Sequence, residues 1–139
     1  MFKNILVPTD LSKQNVHALE VAVNMASVFK GKIYLLHVIE TITDASFDDM
    51  KEFYMKLENA AFQFLDEVRS PYSNKEIDIE TRIVYGNRTE EIIKFAEERK
   101  ADLIILNSHK IDLTNPTQGW GTISYKIGIL SQCPVMLVK

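Results

Sequence analysis

The chain has 139 residues, of which 46% are apolar and 25% are charged, and its formal net charge is −3 at pH 7. These values are typical of one soluble globular domain, residues 1–139, with a substantial core. The sequence contains no block of lysine and arginine that would predict a nucleic-acid surface, and its apolar runs are far shorter than a membrane span. The start of the chain lacks the pattern of a secretory leader, and Cys133 is the single cysteine, so we expect a cytoplasmic protein without an internal disulfide.

Five short apolar runs predict β-strands. Four of them are almost continuously apolar, as strands buried on both faces of a parallel sheet require. The third run alternates apolar and polar residues and predicts a more exposed face. The runs are KNILVPT (3–9), KIYLLHV (32–38), IDIETRIVY (77–85), DLIILNS (102–108) and PVMLVK (134–139).

Helical patterns separate these strands, because apolar residues recur three or four positions apart. Ser12 is predicted to cap the first helix, and Pro71 is predicted to end the second, since proline cannot continue a helix. Acidic residues lie near the start of the second helix and stabilise it there, namely Asp44, Asp48, Asp49 and Glu52. The predicted buried stripes are Val16, Leu19, Val23 and Ala26; Met50, Phe53, Leu57, Ala61, Phe64 and Val68; and Ile123, Ile127 and Leu130.

The alternation of strands and helices predicts an α/β fold, a three-layer, doubly wound, five-stranded parallel sheet of the Rossmann-like kind. In such sheets ligands bind at the carboxyl ends of the strands, where the strand order reverses. The connections after the first, second and fourth strands all leave at that edge. We therefore expect these three connections to form one site.

Asp10 lies in the turn after the first strand, where its carboxylate can accept hydrogen bonds from a ribose hydroxyl or an adenine amine. The alternative is that Asp10 and Ser12 only cap the first helix. A Rossmann glycine fingerprint, a Walker A motif and a serine-hydrolase elbow are all missing from the sequence. The three histidines lack the spacing of a zinc site, and His37 is interpreted as a hydrogen-bonded strand residue. The sequence therefore predicts no catalytic residue and no resident metal.

Four segments carry a family resemblance: ILVPTDLS (5–12), IYLLHVIE (33–40), VYGNRTEEIIKFAEERKADLIIL (84–106) and GTISYKIGILSQCPVMLVK (121–139). Over nearly its whole length the chain resembles the universal stress protein family. The resemblance implies a sheet of the adenine nucleotide alpha hydrolase-like kind and, normally, a homodimer. It also implies ATP binding, with magnesium carried in by the nucleotide, because many members bind ATP.

In that family the phosphate loop reads Gly-x2-Gly-x9-Gly-Ser/Thr and follows the fourth strand. The two leading glycines fall here on Asn107 and Lys110, ten residues rather than nine precede Gly121, and Gly121 and Thr122 match the end. Asparagine tolerates the left-handed conformation, so Asn107 is expected to keep the turn. Lys110 stands at the second glycine position, where a side chain held at positive φ costs about 1–2 kcal/mol. The resemblance implies adenine contacts at Asp10 and at the backbone of Val38. The candidate nucleotide-binding residues are Pro8, Thr9, Asp10, Val38, Asn107, Ser108, His109, Lys110, Gly121, Thr122 and Ser124.

The last strand is apolar and lies at a sheet margin, where unpaired backbone groups need cover. In the resembling family this strand pairs with its two-fold mate, and we predict the same interface here. Its candidate residues are Pro134, Val135, Met136, Leu137 and Val138.

Three functions remain open at this point. The first is a homodimeric stress-response module with an adenine-nucleotide pocket and a degenerate phosphate loop. The second is an ATP-binding switch with slow hydrolysis, and the third is a dimer without nucleotide that acts through an unknown protein partner.

Overall fold

A computed structural model describes residues 1–13, 16–42, 44, 46–108, 113–114 and 122–139. Among these residues five strands pair in parallel in the order β3-β2-β1-β4-β5, which confirms the predicted fold class. A short 3-10 helix, Ser70–Tyr72, contains Pro71 and follows α2 directly. The elements are β1 Asn4–Pro8, α1 His17–Phe29, β2 Lys32–Glu40, α2 Lys51–Arg69, β3 Asp78–Gly86, α3 Arg88–Glu98, β4 Leu103–Asn107, α4 Thr122–Leu130 and β5 Val135–Val138.

Helices cover both faces of the sheet and divide the core in two. Side chains of a strand alternate between the faces, so Ile5 and Val7 pack with α1 and α2, while Leu6 packs with α3 and α4. The side chains of Ile104 and Ile105 on β4 likewise point to opposite faces of the sheet, and both are fully buried. The continuous apolar runs therefore reflect strands covered on two sides, as predicted.

The strand order reverses between β1 and β4. From β1 the chain moves through α1 to β2 on one side, and it reaches β4 on the other side only after α3 has crossed back. The carboxyl ends of β1 and β4 therefore diverge into helices on opposite faces and leave a crevice between them.

The first helix begins later than predicted. The N-terminal flanking residue of α1 is Val16, which has no polar side chain, so the prediction that Ser12 caps this helix was wrong. The backbone N–H of Ser12 instead donates to the Asp10 carboxylate at 3.0 Å, and Leu11 between them adopts a left-handed φ of 66°. An aspartate that binds a nearby backbone amide forms a turn in place of a helix start.

The buried face of α2 also differs from the predicted stripe. Tyr54, Ala61 and Leu65 are buried, whereas the predicted residues Phe53 and Leu57 are 45% and 37% exposed. The helix lies over β2 and β3 at the margin of the sheet, so only a narrow face is covered. On α4, Ile127 is buried as predicted but Leu130 is 51% exposed.

None of the helices formed by the described residues is long and apolar enough to cross a membrane.

Candidate functional site

A cavity opens at the carboxyl ends of β1, β2 and β4, on the side of the sheet that carries α3 and α4. Apolar side chains from β2, β4, α3 and α4 line it together with polar residues of the connections. Such a combination is typical of a small-molecule site. The lining residues are Pro8, Thr9, Asp10, Leu36, Val38, Arg88, Ile92, Leu106, Asn107, Ile123 and Ser124.

Six of the predicted site residues meet at this cavity, namely Pro8, Thr9, Asp10, Val38, Asn107 and Ser124. Ser108 does not line it, because its N–H donates to the Val138 carbonyl at 2.7 Å and its hydroxyl accepts from Lys139 Nζ at 3.1 Å. His109, Lys110 and Gly121 lie outside the described residues, and Thr122 is described only as the first residue of α4.

The connection after β1 is held firmly against β2. The Thr9 N–H donates to the Leu36 carbonyl at 2.8 Å, and the Thr9 carbonyl lies 2.8 Å from His37 Nδ1. The exposed carboxylate of Asp10 follows directly and accepts the N–H of Ser12. The acidic group is therefore held at the cavity by backbone contacts on both sides.

His37 acts as a neutral donor in this arrangement. Burial lowers the pKa of its imidazole, and the charge of Arg88 lowers it further, against the opposing effects of the Thr9 bond and Asp10. A neutral ring bound to a carbonyl carries its proton on Nδ1. The structure confirms the interpretation of His37 as a hydrogen-bonded strand residue.

The backbone conformation and the side-chain hydrogen bond of Asn107 differ from the prediction. It is the last residue of β4 and is not among the residues with positive φ, so the expectation of a left-handed turn there was wrong. Its Oδ1 accepts the N–H of Ala18 at 2.8 Å, in the first turn of α1. The amide group is thus directed to the face that carries α1, opposite to α3 and α4.

Arg88 was missed by the sequence reasoning, which considered only the connections after β1, β2 and β4. It is the first residue of α3, and its Nε lies 3.7 Å from the Glu40 carboxylate. Asn87 caps this helix by accepting the Glu90 N–H at 3.1 Å, and Gly86 has a φ of 145°. The Gly-Asn pair at the end of β3 is the local signal for a tight turn that brings a helix start over the sheet.

Within the described ranges, no group of three histidine, cysteine, aspartate or glutamate side chains is placed to hold a metal ion.

The model of the universal stress protein family matches residues 1–139, the whole chain. The chain belongs to the universal stress protein family. Universal stress protein YxiE of Bacillus subtilis is 26% identical, with all of both chains covered. The solved structure of MJ0577, a universal stress protein of Methanocaldococcus jannaschii, has a TM-score of 0.77 at 30% identity and covers 100% of this chain and 96% of its own.

Two other solved universal stress proteins contain nucleotides. A universal stress protein in complex with cAMP has a TM-score of 0.70 at 19% identity and covers 99% of this chain and 96% of its own. A family protein of Arabidopsis thaliana with AMP bound has a TM-score of 0.70 at 18% identity and covers 99% of this chain and 91% of its own. At these identities the two likenesses show the shared fold.

Proposed function

We propose that this universal stress protein is a cytoplasmic, homodimeric regulatory module of the stress response that binds an adenine nucleotide in the cavity between β1 and β4. Its phosphate loop departs from the family pattern at Asn107 and Lys110. One observation carries the proposal: Asp10 and the open backbone edge at Val38 meet above an apolar floor that reaches the first turns of α4.

The backbone at Val38 is suited to the edge of a purine. Pairing between β1 and β2 ends at Pro8 and Leu36, whereas β2 continues to Glu40. The Leu36 carbonyl points toward β1, because it accepts the Thr9 N–H. Backbone groups of a strand alternate in direction, so those of Val38 point the same way, beyond the end of β1. A purine there gains backbone hydrogen bonds and the acceptor Asp10.

The other end of the cavity is suited to an anion. The first turns of α4, which begins at Thr122, contribute Ile123 and Ser124 to the cavity wall. Unpaired N–H groups and the helix dipole favour negative charge at a helix N-terminus. Because the amide group of Asn107 is bonded to α1, the substitution of the family glycine by asparagine directs its bulk away from this end.

The nucleotide-bound relatives support adenine as the ligand class. One contains cAMP and the other AMP, and both share this fold. A binding site that depends mainly on the base fits ligands with one phosphate as well as ATP, so both belong in the experiment.

The proposal of a homodimer rests on a difference between the two edge strands of the sheet, β3 and β5. β3 carries Glu80 and Arg82, whose side chains are 2.8 Å apart, and charged residues of this kind protect an open edge. β5 reads VMLV, and Leu137 is 42% exposed. Side chains of α4 are exposed as well, at Tyr125, Ile129 and Leu130. A two-fold contact through β5, with Pro134, Val135, Met136, Leu137 and Val138, would cover this apolar margin.

The nucleotide is tested first by mass spectrometry of the denatured protein for a co-purified ligand. Calorimetric titration of AMP, and of ATP with magnesium, then measures affinity for the wild type and for Asp10→Ala. We expect binding in the micromolar range that weakens at least about tenfold in the variant, because one charged hydrogen-bond partner contributes about 1.5–3 kcal/mol. If millimolar nucleotide produces neither binding heat nor a thermal shift, nucleotide binding is excluded and the partner-only function remains. Release of phosphate from ATP would identify the hydrolytic switch.

A further inference from the structure

An aromatic cluster surrounds the first turn of α2, away from the cavity. The ring of Phe47 stacks on Tyr54 at 5.2 Å and meets Tyr85 edge-on at 5.8 Å. The ring of Phe53 lies 5.6 Å from that of Tyr54 in a tilted arrangement, and the Ile42 N–H donates to the Tyr54 hydroxyl at 2.9 Å. One buried tyrosine thus holds three apolar neighbours in place.

Those three neighbours are directed to solvent. Phe47 is 52% exposed, Ile42 46% and Phe53 45%, whereas Tyr54 is 2% exposed. Single exposed apolar residues are ordinary, but three that surround one buried residue, two of them aromatic, are typical of an interaction site. We call Ile42, Phe47 and Phe53, with the acidic residues around them, the α2 docking surface.

The negative charge of the chain is concentrated in the same segment. Residues 40–53 contain five acidic residues and one lysine, a net charge of −4, while the whole chain carries −3, so the remainder carries +1. The five acidic residues are all exposed, at Glu40, Asp44, Asp48, Asp49 and Glu52. The acidic residues around α2 exceed what the stabilisation of one helix start requires, because that effect is confined to the first turn.

The α2 docking surface lies at the β3 margin of the sheet. Its anchor Tyr54 contacts Tyr85 of β3, and β3 and β5 are the opposite ends of the strand order. A dimer through β5 therefore leaves one such surface open on each protomer. Four strand spacings separate the two margins, on the order of 20 Å.

We propose that the α2 docking surface binds a basic, apolar segment of a partner protein. Aromatic side chains supply the desolvated contacts that dominate interface energies, and the acidic residues select positive charge around them. Anionic membranes and nucleic acids are disfavoured, because their phosphates meet the same acidic residues. A second copy of this chain is disfavoured too, since a two-fold contact would oppose two identical acidic surfaces.

The test uses two synthetic amphipathic helices, one of leucine and lysine and one of leucine and glutamate. Binding to the full-length protein is measured by fluorescence anisotropy without nucleotide, so the result is independent of the nucleotide proposal. We expect the lysine peptide alone to bind, with an affinity that falls as salt rises. Phe53→Ser and Asp48→Asn/Asp49→Asn should each weaken binding about tenfold.

Matched controls make the outcome specific. Phe62 is 49% exposed on the same helix, and nine residues from Phe53 place it on the opposite side of α2. Phe62→Ser and Glu97→Gln/Glu98→Gln should leave peptide binding unchanged. Phe47→Ser, in the segment before α2, replaces Phe53→Ser if the helical variant does not fold. Equal loss in the control variants, equal binding of the glutamate peptide, or self-association abolished by Phe53→Ser would overturn the proposal.

Discussion

Asn107 and His37 show how single side chains at the end of a strand determine the geometry of the site. Each binds a backbone group of a neighbouring element, Asn107 the first turn of α1 and His37 the connection after β1. The geometry of the cavity therefore depends on hydrogen bonds between the elements that form it.

Replacing Asn107 by the glycine of the family pattern is expected to destabilise the protein. The change removes the side-chain acceptor for the Ala18 N–H, and the loss of a helix cap costs about 1 kcal/mol. Asn107→Asp retains an acceptor and places negative charge at the start of α1, so its stability should stay near wild type. Urea denaturation of the three proteins measures the effect. A glycine variant as stable as wild type would contradict the capping role.

His37 predicts a loss of stability in mild acid. Its folded pKa is lowered from 6.5, so the unfolded chain binds more protons near that pH. The contribution is therefore complete above the unfolded pKa and decreases as the pH falls from 6.5 toward the folded pKa. His37→Gln should flatten the dependence between about pH 5 and pH 8, where histidine titrates. His17→Gln, at an exposed position, should retain it, and a steep dependence in His37→Gln would assign the effect elsewhere.

At the scale of elements, the strands were predictable because helices cover both faces of the sheet, and strands covered in this way are short apolar runs in the sequence. The apolar runs predicted all five strands to within two residues at each end. The partners of Asn107 and Arg88 were not predictable, because Ala18 and Glu40 lie far from them in sequence. The buried face of α2 was misplaced for a similar reason. Its apolar residues surround much of the helix, and only the sheet margin decides which of them are covered.

One side-chain hydrogen bond joins α2 to β3 in addition to their apolar contacts. The Tyr85 hydroxyl donates to the Glu58 carboxylate at 2.6 Å, and burial, with this carboxylate, raises the pKa of Tyr85 to about 12. Tyr85→Phe is expected to cost about 1.5–3 kcal/mol in denaturation experiments, as for hydrogen bonds to charged groups. Tyr125→Phe, at a position that is 68% exposed, is the control and should cost little. Equal effects would show that the bond adds no stability.

At the scale of the whole molecule, the two margins of the sheet differ in their surface chemistry. The β3 margin combines an apolar surface with acidic residues, and the β5 margin is apolar along its whole length. The cavity proposed for the nucleotide lies between them, at the reversal of the strand order. The proposed dimer contact, nucleotide site and α2 docking surface therefore use different residues and do not compete.

This difference between the margins predicts that a lysine placed on β5 disrupts the proposed dimer, whereas a lysine placed on β3 does not. Leu137→Lys puts a cation on the apolar strand β5, where pairing with a two-fold mate would bury it, so sizing with light scattering should show a monomer. Asp78→Lys puts a lysine at an exposed position on the edge strand β3, beside charged residues that already protect it, and should remain dimeric. Both variants should keep the nucleotide affinity of wild type, because neither position lines the cavity. A wild-type monomer at micromolar concentration, or a Leu137→Lys dimer, would place the oligomeric contact elsewhere or remove it.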